Sequence, residues 1–98
     1  MSVHVITELH AKRGYSDDLI ALLGKSIPDS RAHHGCEGIS ILHDQEDRSS
    51  VASVTTWASR RHYEEYLAWR TESGDTDTFR QLLDQPMSIR YFDEVEFG

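Results

Sequence analysis

Hydrophobic periodicity along the 98 residues predicts an α+β fold of the ferredoxin-like, split βαβ kind, with helices on one face of a four-stranded antiparallel sheet. Three observations carry this expectation. Apolar spacing switches between two and about 3.6 residues in the order strand, helix, strand, strand, helix, short helix, strand. No repeat, low-complexity stretch or linker divides the chain, and at this length residues 1–98 make a single domain. The third strand has no charged face, which fits helices on one side and a second sheet on the other, as when two sheets pair into a barrel-like dimer.

The elements follow in order. In 3–9, Val3, Val5 and Leu9 alternate around Thr7, with His4, Ile6 and Glu8 opposite, and Arg13-Gly14 ends this first strand. Ser16 stands at an N-cap position, Asp17 and Asp18 suit the positive end of a helix dipole, and Leu19, Leu22, Leu23 and Ile27 recur at helical spacing. Pro28 removes one backbone donor and bends or ends that helix. Ile39 and Ile41 mark a second strand, closed by a polar hairpin connection over 44–50. The third strand, 51–57, sets Val51, Ser53, Thr55 and Trp57 on one side and Ala52, Val54 and Thr56 on the other.

Ser59 caps the second helix, where Tyr63, Tyr66, Leu67 and Arg70 share a face up to Ser73-Gly74. A short helix carries Phe79, Leu82 and Leu83 before Pro86. The last strand is expected over 89–97, with Ile89, Tyr91, Asp93, Val95 and Phe97 alternating against Arg90, Phe92, Glu94 and Glu96.

Composition limits the function. Counted with Gly and without Tyr, apolar residues make up about 40% of the chain, below the roughly 45–50% usual in globular domains. The core is thin, and a homodimer is the natural way to cover the remaining apolar surface. Ten Lys and Arg against 17 Asp and Glu give a net charge of -7. Such a surface repels phosphates, so neither nucleic acid nor an anionic membrane is an expected partner. No apolar run approaches a membrane span and 1–4 do not read as a signal segment, so the expected location is cytoplasmic. The one cysteine, Cys36, excludes an intramolecular disulfide and reads as a packing residue.

The six histidines form no local metal motif. His4 and His10 lie about 20 Å apart on one strand, His33 and His34 splay from neighbouring positions, and position 66, one helical turn beyond His62, is Tyr66. No glycine-rich phosphate loop and no nucleophile elbow is present. What remains is an aromatic group, Trp57, Tyr63, Tyr66 and Trp69, with Arg70 nearby. Each member also suits plain core packing. Together they suit a pocket for a planar, partly polar organic molecule.

Residues 3–14, 30–36 (SRAHHGC) and 55–59 (TTWAS) resemble the antibiotic biosynthesis monooxygenase family, also called quinol monooxygenase-like. The resemblance spans nearly the whole chain. It implies the ferredoxin-like fold, a homodimer whose sheets meet as an α+β barrel, and a pocket between sheet and helices. In one branch it further implies oxidation of phenols or quinols to quinones by dioxygen with no metal, flavin or other cofactor. That branch's site has an Asn four residues before the Trp and a Tyr six after it. Trp57 and Tyr63 match, and Ser53 stands at the Asn position. A haem-degrading branch has Asn on the first strand, a Trp nine residues after the first, and a ligating His further on. Here stand Thr7 and Tyr66, with no His between Arg70 and Arg80, so that chemistry is not expected. Many members carry Glu two residues before the Trp, where this chain has Thr55.

On this resemblance the catalytic candidates are Trp57, Tyr63 and Ser53, and the substrate-binding candidates are Thr7, Tyr66 and Arg70. Trp57 would pack a small aromatic molecule, and Ser53 and Tyr63 would hydrogen-bond its oxyanion. Arg70 turned inward would add positive charge; turned outward it would form a surface ion pair. The alternative function is a non-redox small-molecule-binding or regulatory protein on the same dimeric scaffold.

Overall fold

The computed structural model describes residues 2–97. Seven elements follow in chain order: β1 (Val3–His10), α1 (Ser16–Ala32), β2 (Cys36–His43), β3 (Ser50–Trp57), α2 (Arg60–Glu72), α3 (Asp75–Gln81) and β4 (Ser88–Asp93). The strands form one antiparallel sheet in the order β2-β3-β1-β4, the topology of a ferredoxin-like fold.

Strand register follows from the alternation. Val3, Val5, Thr7 and Leu9 of β1 lie opposite Trp57, Thr55, Ser53 and Val51 of β3, so the apolar members of both strands face the helices together. Burial agrees: Val5, Leu9, Val51 and Trp57 are nearly inaccessible, whereas Ile6, Ala52, Val54 and Thr56 on the opposite face are half-exposed.

The core is divided. One apolar cluster gathers Leu9, Leu19, Leu23, Val51 and Leu83; the other gathers Val3, Val5, Trp57 and Tyr63. Between them the sheet carries the paired hydroxyl residues Thr7 and Ser53, flanked by Ile89 on β4 and Ile41 on β2. Short polar side chains at that row cannot fill the space that Leu or Phe would fill.

Helix boundaries depart from expectation in two places. Tyr15, not Ser16, takes the N-cap position of α1, and no side chain caps it; the Tyr15 carbonyl already accepts from Leu19 N–H at 2.9 Å. Pro28 lies inside α1, which continues to Ala32. An exposed proline here removes one helical hydrogen bond, and the buried Leu19, Leu23 and Ser30 on the inner face keep the helix seated on both sides of it. Ser59 caps α2 as expected, its Oγ accepting from His62 N–H at 3.3 Å. Gly35 links α1 to β2 at φ +90°, and a Cβ there would fall 2.4 Å from the His62 ring, so only glycine admits this close approach.

The last strand is shorter than its alternation predicts. It ends at Asp93, opposite Val3. Val95 and Phe97 lie beyond the start of β1, with no strand beside them, and are 70% and 94% exposed. Alternation alone does not make a strand without a neighbour to pair with.

Candidate functional site

The gap between the two core clusters is a cavity of about 90 Å³, and Thr7, Ser53, Trp57, Tyr63, Tyr66 and Arg70 all line it. Each arrives by its own local logic. Thr7 and Ser53 are cross-strand partners on the inner face of the sheet. Trp57 ends β3 on that face, and the Ser59 cap starts α2 just beyond it. Helical spacing then stacks Tyr63, Tyr66 and Arg70 on the side of α2 that faces the sheet. Trp69, one step off that spacing, is 40% exposed and lies outside the cavity.

Trp57 is fully buried, with its ring 5.7 Å from Tyr63 edge-on and 4.9 Å from Tyr66. Its indole Nε1 has no hydrogen-bond partner among the described residues. A buried N–H without a partner costs on the order of 1–3 kcal/mol, so this group is a donor waiting for an acceptor. Ser53 makes no side-chain hydrogen bond among the described residues. Thr55, the Glu position of many relatives, instead donates to the Val5 carbonyl at 3.4 Å.

Burial pushes the Tyr63 phenol up to about 12, opposed in small part by a hydrogen bond with Thr7. Removing an ionised oxygen from water disfavours the phenolate more than one hydroxyl neighbour favours it. Tyr63 is therefore a protonated donor at neutral pH, not a base.

Arg70 turns inward; the outward, surface ion pair is not what forms, because its partner Asp75 meets the guanidinium where Arg70 is buried. It is 8% exposed. Its Nε donates to Tyr66 Oη at 3.0 Å, one terminal nitrogen to Asp75 Oδ2 at 2.9 Å, and the other to the Ser26 carbonyl at 2.9 Å and Ser30 Oγ at 3.0 Å. Four of a guanidinium's five N–H groups are thus engaged, and Asp75 balances the charge. Ser30 in turn donates to the Ser26 carbonyl at 3.0 Å and meets Tyr66 Oη at 2.7 Å. The Arg70 guanidinium holds the Asp75 carboxyl below its ordinary range. Arg70 and Tyr66 form a rigid polar wall; their hydrogen-bonding capacity is largely spent inside the protein.

The other end is lined by Trp57, Tyr63, Ser53 and Thr7. The Thr7 hydroxyl is engaged with Tyr63, while the Trp57 N–H and the Ser53 hydroxyl have no partner among the described residues. Such an arrangement stabilises negative charge on one edge of an aromatic ring. Ser30, Asp75 and Met87 also line the cavity and were not singled out from sequence. Ser30 lies in the SRAHHGC segment; no local signal marks Asp75 or Met87. His33 packs its ring 5.3 Å from Tyr66 and 6.2 Å from Trp57, behind the cavity.

The family model described as antibiotic biosynthesis monooxygenase matches residues 2–73. No curated protein sequence matches the chain. Among solved structures, Rv0793 from Mycobacterium tuberculosis superposes with a TM-score of 0.86 at 18% identity, covering 100% of this chain and 99% of that one. A conserved protein from Methanosarcina mazei Go1 gives 0.87 at 12% identity, covering 97% and 94%. A variant of SnoaB, a cofactor-independent oxygenase from Streptomyces nogalater, gives 0.83 at 11% identity, covering 98% and 95%.

Proposed function

The chain belongs to the antibiotic biosynthesis monooxygenase family, and from that membership and the donor-lined cavity we propose that it is a cofactor-independent monooxygenase oxidising a phenolic or quinol-type small aromatic molecule with dioxygen. The observation that carries this reading is the buried, unpartnered indole N–H of Trp57 beside the protonated phenol of Tyr63.

Dioxygen is a triplet and reacts slowly with closed-shell molecules, so the substrate itself must become electron-rich. A phenolate does so. With a free phenol near pKa 10, donors aimed at the oxygen shift the equilibrium toward the anion, its proton passing to solvent and returning in the water released at the end. Trp57 and Tyr63 hydrogen-bond that oxyanion, Ser53 supplies a third donor within the same wall, and Thr7 orients Tyr63. Tyr66 and the Arg70–Asp75 pair hold the ring in plane. The phenolate passes an electron to dioxygen, and recombination forms a carbon–oxygen bond at the ring position opposite the phenolate. Loss of water then gives the quinone. One phenol and one dioxygen yield one quinone and one water, with one oxygen atom incorporated. The protein's part is to favour the anion, exclude bulk water and hold the geometry.

The same reading includes a homodimer formed through the open sheet face. Ile6, Leu42, Ala52 and Val54 lie there without a covering layer, and Leu42 is 54% exposed. No helix among the described residues is long and apolar enough to cross a membrane.

Oxygen uptake with a panel of phenols and polyphenols tests the activity. The expected result is uptake above autoxidation with one ¹⁸O atom in the quinone. Tight binding without uptake across the panel would favour the non-redox binding or regulatory alternative, which the engaged state of Arg70 and the serine at position 53 support.

A further inference from the structure

On the side of α1 and α3 the cavity adjoins a surface hollow of about 190 Å³, and Ser26, Arg70, Asp75 and Phe79 line both. At this junction almost every polar group has a partner. Ser26 Oγ donates to the Leu23 carbonyl at 2.7 Å, Ser30 Oγ donates to the Ser26 carbonyl, and Thr76 Oγ1 meets Thr71 Oγ1 at 3.1 Å. Asp75 is the exception. Its Oδ2 accepts from Arg70 at 2.9 Å and from Ser73 Oγ at 3.0 Å, whereas its Oδ1 accepts from none of the described residues.

Asp75 is also the only carboxylate lining the cavity among the described residues. It is half-buried, and its pairing with the Arg70 guanidinium keeps it ionised, so its spare oxygen accepts a hydrogen bond and donates none. Tyr63 and Arg70 stand two helical turns apart on α2, about 10 Å. One aromatic ring with an oxygen at each end can therefore reach both the Tyr63 phenol and the acceptor beside Arg70. Position 75 lies on α3, beyond the residues 2–73 matched by the family model, so its chemistry belongs to this chain.

We propose that Asp75 is a specificity-determining residue, whose free carboxylate oxygen accepts a hydrogen bond from a hydroxyl on the side of the substrate ring remote from the oxygen held at Trp57. This deepens the phenol-oxidation reading and rests on it for the chemical class of the ligand. A remote hydroxyl donates to Asp75 and accepts the N–H that Arg70 has to spare. A remote ether only accepts, and it leaves the carboxylate covered without a donor. The site thus separates two rings of similar shape by one hydroxyl proton.

Anaerobic tryptophan-fluorescence titration with hydroquinone and 4-methoxyphenol tests the selection, since without dioxygen neither ligand is oxidised. Wild type is expected to bind hydroquinone at least about fivefold more tightly. Asp75→Asn, whose amide both donates and accepts, is expected to bring the two affinities within about twofold. Ser73→Ala, which removes a partner of Asp75 that does not line the cavity, is expected to keep the wild-type ratio. Circular dichroism checks that both variants fold. A wild-type ratio within about twofold, which requires no variant, overturns the proposal. So does a ratio unchanged in Asp75→Asn with both affinities weakened alike, the pattern of a merely structural partner of Arg70. No binding of either ligand overturns the proposal together with the phenol site. In air, oxygen uptake with a ratio independent of Asp75 keeps phenol oxidation and removes the selection. An Asp75-dependent ratio without uptake keeps the selection and removes the oxidation.

Discussion

Tyr66 gives its one hydroxyl proton to Ser30 Oγ across 2.7 Å, because Arg70 Nε already donates to the same Tyr66 oxygen and the Ser30 proton goes to the Ser26 carbonyl. A residue that sequence reasoning places among the substrate contacts therefore offers the cavity its ring and not its hydroxyl. The network joins α1, α2 and α3 around one guanidinium and makes Arg70 the keystone of the helical layer.

Arg70→Met is accordingly expected to destabilise the fold by about 2–3 kcal/mol, since it leaves buried partners on Ser26, Ser30 and Tyr66 unsatisfied. Ser30→Ala removes one member and should cost about 1 kcal/mol. Urea unfolding of both variants measures this, and an Arg70→Met midpoint equal to wild type would contradict the keystone role.

Trp57→Phe separates function from stability. It deletes the unpartnered donor but also some ring volume, two effects of opposite sign and each on the order of 1–3 kcal/mol. Stability should stay within about 1 kcal/mol of wild type while turnover of a confirmed phenol falls at least tenfold. Undiminished turnover would show that the indole N–H does not meet the oxyanion.

Tyr63→Phe should lower turnover at least several-fold and leave the oligomer, expected at twice 11.2 kDa by gel filtration, intact. The Tyr63 phenol is raised from 10.0 to about 12 in the folded state, above its unfolded value. Its contribution to stability is thus fully present below pH 10 and is lost as pH rises through about 12. Alkaline unfolding curves should show this loss in wild type and not in the variant. The pH dependence of turnover near neutrality should be the same in both proteins, because it reports the substrate.

His10 offers a second pH test away from the cavity. Its Nδ1 lies 2.9 Å from Asp84 and its Nε2 3.1 Å from Asp47, and hydrogen bonds to Asp84 first and Asp47 second raise its pKa above 6.5. The clamp is complete below pH 6.5 and fades as pH rises through the higher folded value. Urea midpoints of His10→Gln should therefore fall short of wild type by more at about pH 5.5 than at about pH 8.5. A gap independent of pH would mean that protonation plays no part.

Element order and strand faces were legible because they depend on local period: Val3, Val5 and Leu9, or Val51 and Trp57, declare their side of the sheet by alternation. The six candidate residues likewise meet at one cavity, since the resemblance placed Trp57, Tyr63, Ser53 and Thr7, and helical spacing put Tyr66 and Arg70 beside Tyr63. Long-range geometry was not legible. That Arg70 meets Ser30 forty positions away, and that Asp75 neutralises it, depends on how α1 and α3 dock on α2. The alternation at Val95 and Phe97 misled because strand formation needs a neighbour, and β1 has ended by then. Ser16 misled because the carbonyl of the preceding residue already starts the helix.

The indole nitrogen of Trp57 has no acceptor among the described residues, so a molecule that brings one to it is expected to add heat resistance by mass action. Melting-temperature shifts across a metabolite library therefore offer a route to the physiological substrate that requires no prior guess at the reaction.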